Sequence, residues 1–541
     1  MTLRAASSSV LGFSLALVVA GSPSAATAAK VDLSPAAWPP GELAHYTHLQ
    51  NNNSLSHPPA RSKKGLVVGT TGALAVRSGV EALRQGGTAV DAVLTTALAQ
   101  TTLNAGATVS FAGKMALVYY EASTGEIHYL NGSWDVPRGQ TSGDDIAECE
   151  VPDGRQVLVP GFMSGLETAH DEFGELPFKA LFGPALYFAN QGFEIFPMLG
   201  SWIHAREATL TRLEGGREIF LKSDGSIYRT GDWFRQPQLA KTLKKVSRKG
   251  SRYMYRGRWA KELAEVVQSE GGRLSIRDLK AYRPLWSPPE VTAFDGHVIH
   301  GPGLPGTGGL RLREAFTSLS GDQLRAEGHY TESDEAFALM LDAVARTHGV
   351  GRPGGSHSDG VLAIDSRGNV AALLHTINTI IWGATGIFVD GVSVADVGCW
   401  ASPLVTDAGP GGRLATGELV AIATRDGQPV LASSGVGSGL FETGLFSIVN
   451  VLTYGMNPQQ AATTPTAHVS SRWFTQVIHR VWEDDFERRL LLDMQGRGYV
   501  IDELPRGGSG SGWSVGATID PESGKLMGAT AQAWNGMAGA Q

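Results

Sequence analysis

Ser358-Asp-Gly-Val-Leu-Ala-Ile-Asp-Ser-Arg-Gly-Asn369, followed by Thr376-Ile-Asn378, is the stretch from which the fold is read. The apolar run after Ser358 predicts a β-strand, residues 366–369 a turn, and Val370 to Leu374 a second strand. A hydroxyl residue stands at the head of the first strand, after a glycine-rich approach from Gly349 to Gly355. If the peptide bond before that residue breaks, it becomes a chain end, and its own α-amine can act as its base. Taken alone, the segment also reads as a surface hairpin with a serine at its edge.

The surrounding chain is organised around such a site. Its 541 residues are 42% hydrophobic and 18% charged, enough for a large core and one or two domains. Glycine is abundant, at 69 residues, but shows no collagen-like or low-complexity period. The net charge of −7 and the lack of a long basic run exclude a nucleic-acid-binding class. Lys244-Lys-Val-Ser-Arg-Lys249, the densest basic stretch, reads as a solvated helix face. Residues 1–28 have the composition of a secretory signal: Arg4, an apolar run from Val10 to Ala20, and Ala26-Thr-Ala28 as a cleavage site. The apolar run is too short to span a bilayer, so no stable membrane span is expected and the product is secreted, or periplasmic. Cys149 and Cys399 form either one disulfide or two buried thiols. Asn52-Asn-Ser54 and Asn131-Gly-Ser133 are glycosylation sequons, making a glycoprotein an expectation in a eukaryotic host.

Residues 29–64 read as an irregular arm, rich in Pro, Asn, Ser and His. Leu66 to Val68 is a short strand. Helical periodicity covers 72–85 and 88–100, split by Gly86-Gly87 and restarted by a Thr88 cap. Lys114 to Tyr120 and Ile127 to Leu130 are strands about a Ser-Thr-Gly turn, and 160–290 is mainly helical. No Gly-x-Ser-x-Gly, His-Glu-x-x-His, Cys-x-x-Cys or Walker loop occurs, so neither metal nor cofactor is expected.

Several blocks, in order, resemble the γ-glutamyltransferase (glutathione hydrolase) family. They are Gly72 to Ala92, with Gly86-Gly-Thr-Ala-Val-Asp-Ala92 at its end; Gly106 to Tyr120; Val159-Pro-Gly-Phe162; Gly303-Leu-Pro-Gly-Thr-Gly-Gly309; Ser433-Ser-Gly-Val-Gly-Ser438; and Val449 to Pro458. The similarity spans about Gly65 to the C-terminus. It implies an α+β fold, the four-layer αββα sandwich of the N-terminal-nucleophile hydrolases. It also implies a precursor cut into a large-subunit region, 65–357, and a small-subunit region, 358–541. The nucleophile implied is Ser358, seven positions before Asp365 in Asp365-Ser-Arg-Gly-Asn369. Ser356 is its rival, but a shift of two residues moves the hydroxyl about 6–7 Å along the strand.

The same resemblance assigns partners. Thr376 is implied as the hydroxyl bonding the nucleophile's terminus, and Asn378 as a substrate contact pointing the same way along the strand. Val436 and Gly437 are implied as N–H donors to the oxyanion. Asp359 either holds the charge of the new α-amine or is a polar strand residue, and His375 should face away. Three departures concern the substrate. Ser133 stands where the family places an Arg on the substrate carboxylate, with Arg138 displaced nearby. Ala415-Thr416 stands for a Ser-Ser pair, and Asp396 is only close to the acidic residue that receives the amino group. The segment before Ser358 is also shorter than the family's. Trp134, Trp382 and Trp400 form either an aromatic substrate surface or core. Three functions follow: a γ-glutamyl hydrolase/transferase on glutathione-like amides, an acylase of the same fold on another peptide or secondary-metabolite amide, or a non-catalytic relative. The partners expected are a small amide or peptide substrate, an amino acid, peptide or water as acceptor, and the two fragments of one precursor.

Overall fold

Continuous apolar runs, buried on both faces in the central strands, build two seven-stranded antiparallel sheets that share one dry face. The computed structural model describes residues 31–52, 57–347, 358–437, 439–470, 477–505, 512–531 and 535–541. Fourteen strands build the two sheets: β1 (Ala60–Ser62), β2 (Leu66–Gly69), β3 (Lys114–Glu121), β4 (Glu126–Gly132), β5 (Leu285–Ser287), β6 (Glu290–Phe294), β7 (His297–Gly301), β8 (Ser358–Ile364), β9 (Val370–Thr376), β10 (Val420–Arg425), β11 (Gln428–Gly437), β12 (Gly512–Ile519), β13 (Leu526–Thr530) and β14 (Met537–Ala540). The first sheet runs β14-β2-β8-β9-β3-β4-β5 and the second β1-β13-β12-β11-β10-β7-β6.

Leu66, Val68, Ala116, Val118, Leu362, Ile364, Ala372 and Leu374 of the first sheet meet Val420, Ile422, Ala432, Val436, Val515 and Ala517 of the second in one buried cluster. Each Val, Leu or Ile side chain among them stabilises the fold by about 1.5–3 kcal/mol through burial. Helices cover the outer faces, giving the αββα layering. On the first sheet lie α1 (Ala73–Arg84) and α2 (Ala89–Leu103), where Thr88 and Asp91 form a reciprocal capping box. On the second lies α3 (Leu440–Leu452), buried among Leu419, Ala421 and Leu431.

Both parts of the chain enter both sheets. The first sheet takes four strands from before residue 358 and three from after it; the second takes three and four. The 357/358 boundary is therefore a point in the chain and not a division between domains. Cutting there leaves the two fragments interleaved through the inter-sheet core.

The 29–64 stretch differs from the irregular arm expected. It contains a helix, Glu42–Asn51, and strand β1, which pairs with β13. The helix has little apolar periodicity to betray it. It is held by charge: Glu42 pairs with buried Arg77, whose guanidinium lies 4.6 Å from the Trp38 ring. Asn131, in the second sequon, is fully buried and bonded to Tyr129 and Arg413, so the folded protein has no room for a glycan on it. Cys149 and Cys399 form a disulfide with Cα atoms 4.9 Å apart. No helix among the described residues is long and apolar enough to cross a membrane. The signal expected at 1–28 lies outside the described residues, as do His357, Ser356 and Ser438.

Candidate active site

The site begins with the strand register. Ser358 heads β8 and pairs with Thr376 on β9, and Thr376 pairs in turn with Lys114 on β3. Directly opposed residues share a face, and the period of two puts all three on the same side as Leu362, Leu374 and Ala116, facing the second sheet. Ser358 Oγ is buried and has no hydrogen-bond partner among the described residues. An orphaned buried hydroxyl costs about 1–3 kcal/mol, the kind of strain found where a group is kept for chemistry.

The hairpin that presents Ser358 is locked by Asp365. Its carboxylate accepts from the backbone N–H groups of Arg367 (2.9 Å) and Asn369 (3.1 Å), and from Asn369 Nδ2 (2.8 Å). It also accepts from Ala89 N (3.0 Å), the first residue of α2, which ties the hairpin to the helical layer. Gly368 closes the turn at φ +87°, where a side chain would be strained.

Residues one step along each strand face the helices instead. Asp359 accepts hydrogen bonds from Thr71 Oγ1 (2.9 Å), Asn104 Nδ2 (3.1 Å) and Thr70 Oγ1 (3.5 Å), and burial pushes its pKa up to about 7. His375 meets Gln100 Oε1 at 2.9 Å and stacks on Phe162; burial holds its pKa down at about 3, so the ring is neutral. It faces away from Ser358, as the alternation required.

Above the first sheet stands the end of β11. A Cβ at Gly360 would meet Ser434 Oγ at 3.0 Å and Val436 Cγ1 at 3.4 Å, so the end of β11 overlies the start of β8. Gly437 takes φ +89°, a conformation suited to glycine, and turns the chain off the strand. Val436 keeps ordinary strand geometry opposite Trp513.

The remaining candidates divide. Thr376 Oγ1 accepts from Asn378 N at 2.9 Å. Strand β9 stops at Thr376, however, and Asn378 adopts φ +51°, so it does not continue the strand face. Its Oδ1 accepts from Trp134 Nε1 at 3.3 Å. Thr416 does reach the group: its Oγ1 receives a hydrogen bond from Lys114 Nζ (2.6 Å) and lies 3.0 Å from Ser133 Oγ. Arg138 is not brought there. Its side chain is half-exposed, donates to Asp278 at 3.2 Å, and has no contact with Ser358, Thr376 or Thr416 among the described residues. Asp396 is consumed by the 379–385 loop, accepting from Thr379 Oγ1, Ala384 N and Thr385 N. Trp134 and Trp382 are core residues.

Sequence reasoning missed Lys114. Its Nζ also lies 2.6 Å from Glu418 Oε2, both side chains being buried, and Glu418 Oε1 accepts from Tyr129 OH at 3.2 Å. Burial draws the Lys114 pKa below the usual lysine range against the opposing pull of Glu418. The available signal was a charged residue opening an otherwise apolar strand, Lys114-Met-Ala-Leu-Val118. No cluster of metal-ligating side chains occurs among the described residues.

A hydroxyl nucleophile heading an inner strand of an αββα sandwich defines the class of N-terminal-nucleophile hydrolases. The gamma-glutamyltranspeptidase family model matches residues 75–351, just over half of the chain, and the chain belongs to that family. It is an enzyme of the γ-glutamyltransferase type. The family match ends upstream of Ser358. A glutathione hydrolase proenzyme from Pseudomonas sp. (strain A14) is 25% identical over 491 residues, covering 78% of this chain and 84% of that protein. The acylase ACY 1 proenzyme from Pseudomonas sp. (strain V22) is 24% identical over 474 residues, covering 75% and 83%. The cephalosporin acylase from Bacillus halodurans superposes with a TM-score of 0.77 at 22% identity, covering 90% of this chain and 97% of that one; it shares the fold.

Proposed function

We propose that the protein is a self-cleaving amide hydrolase and acyl transferase with Ser358 as its N-terminal nucleophile. The observation that carries this reading is the buried, unpartnered Ser358 Oγ at the head of β8, directly across from Thr376. In the first stage Oγ attacks the carbonyl carbon of His357, the C–N bond to Ser358 breaks, and the acyl group moves from nitrogen to oxygen. Water then hydrolyses that ester and leaves residue 358 as a new chain end. In the second stage the freed α-amine, with an unperturbed pKa of about 7.7–8, takes the Oγ proton as Oγ attacks a substrate amide. The leaving amine carries the proton away, and water or an acceptor amine resolves the acyl-enzyme. The N–H groups at Val436 and Gly437 are the candidate donors to the oxyanion, each such donor being worth about 3–4 kcal/mol of barrier.

The names of the relatives as proenzymes support a precursor that is cut, and one that loses residues 1–28 on secretion fits the same reading. The acyl group is either the γ-glutamyl group of glutathione-like amides or that of an acylase substrate. The second is favoured by Ser133 standing where a guanidinium was expected and by the engagement of Arg138 with Asp278. The test is a denaturing gel of purified protein with N-terminal sequencing of the smaller fragment, followed by kinetics on a γ-glutamyl anilide beside bulkier acyl anilides. A fragment beginning Ser-Asp-Gly-Val with anilide turnover is expected. A single uncut band, or a fragment starting at Ser356, refutes the assignment.

A further inference from the structure

We propose that Glu418 and Lys114 together determine which acyl groups the site accepts: the pair supplies an internal carboxylate on the nucleophile's face of the sheet, two strands away, and selects substrates whose acyl group carries no anionic head. This inference rests on the reading of Ser358 as nucleophile and names the substrate class for that site.

The register makes the argument. Ser358, Thr376 and Lys114 stand in one row across three adjacent strands on the inter-sheet face. Lys114 is thus the cation that the register sets beside Thr376, two strands from Ser358. A buried ammonium in that place would ordinarily capture a substrate carboxylate. Here it is already engaged. Glu418 Oε2 lies 2.6 Å from Nζ, with both side chains almost wholly out of solvent, and the hydroxyls of Thr416 and Tyr129 complete the shell. Ser133 Oγ bonds Thr416, so the neighbouring hydroxyl belongs to the same closed set.

The backbone leaves Glu418 little freedom to withdraw. Its carbonyl oxygen packs directly on Gly308, where any Cβ would collide with it. A second carboxylate entering beside Glu418 would meet a buried like charge, with Lys114 already paired and the neighbouring Arg413 engaged by Asp135 and Asn131, which is disfavoured. A carboxamide or other neutral polar head carries no such penalty and can donate to the Glu418 and Thr416 oxygens. The pair therefore turns the chemistry of this wall from anion capture to anion exclusion.

The experiment is calorimetric binding of L-glutamate and of its α-amide to the mature protein. The two acids share the side-chain carboxylate that leaves the nucleophile and differ only in the head group. Wild-type protein is expected to bind the α-amide about tenfold or more tightly, the scale of one charge-assisted contact. Glu418→Gln, nearly isosteric and still able to bond Lys114, should reverse that order. If Glu418→Gln fails to fold, Lys114→Met combined with Glu418→Leu removes both charges and should erase the preference. Equal or tighter glutamate binding by the wild type, binding of neither acid, or an unaltered ratio in the variants overturns the proposal. Absence of cleavage and anilide turnover with the binding preference intact would sink the hydrolase reading, and with it the acyl-group role, while leaving the head-group preference of the Lys114–Glu418 pair in place.

Discussion

Replacing Asp359 by Asn should make the protein more stable at alkaline pH and leave it nearly unchanged in acid. Asp359 is fully buried, and its pKa is raised from 3.8 to about 7 by burial against the partial relief of the Thr71, Thr70 and Asn104 hydrogen bonds. In the unfolded chain the carboxyl ionises near its ordinary value. Below about pH 4 both states are protonated and nothing is lost. As the pH rises from there towards 7, the unfolded chain gives up its proton while the folded one keeps it, and the folded state loses ground. Above 7 both are ionised and the loss is complete. At 1.36 kcal/mol per pKa unit, the interval amounts to about 4 kcal/mol. Asn cannot ionise, and it can accept from Thr71 and Asn104 as the acid does. The assay is chemical unfolding in a Ser358→Ala background, which keeps the chain in one piece, at pH 4.5 and pH 8.5. Asp359→Asn should gain about 3 kcal/mol at pH 8.5 relative to its effect at pH 4.5, where the unfolded carboxyl is already largely ionised. An equal loss of stability at both values would show that Asp359 is held as a carboxylate by its three donors, and the reasoning would fail.

Ser358→Ala should abolish cleavage on a denaturing gel without lowering the unfolding midpoint, because the hydroxyl removed has no hydrogen-bond partner. Thr376→Ala should slow cleavage and anilide hydrolysis by about tenfold to a hundredfold, the loss of one orienting hydrogen bond, while still producing the Ser358 fragment. Asp365→Ala, which strands donors from Ala89, Arg367 and Asn369, should cost about 3–5 kcal/mol in denaturant titration and impair cleavage through hairpin disorder. Arg138→Ala should leave steady-state kinetics unchanged within twofold; a larger rise in KM would return this residue to the substrate.

Much of the scaffold was legible because it is written in short-range patterns. The β8–β9 hairpin follows from two apolar runs about the turn at residues 366–369, the start of α2 from the Thr88 cap after Gly86-Gly87, and the outward facing of His375 from the period of a strand. Asn378 was misplaced because strand periodicity was carried past Thr376, where the backbone turns left-handed. The helix at Glu42–Asn51 escaped notice because its anchor, Glu42 to Arg77, is an ion pair between segments and leaves no apolar stripe.

What the sequence by itself determined is the class of fold and the strand that Ser358 heads, since a strand's facing and a turn's chemistry depend on neighbours a few residues away. What only the tertiary structure decided is the company Ser358 keeps. Lys114 and Glu418 are 304 residues apart, Ser133 and Thr416 283, and Cys149 and Cys399 250. Each pair meets because distant segments fold together, two of them where the sheets are pressed face to face by their apolar cores. Burial there turns a lysine and a glutamate, unremarkable in the chain, into one closed charge pair at the site.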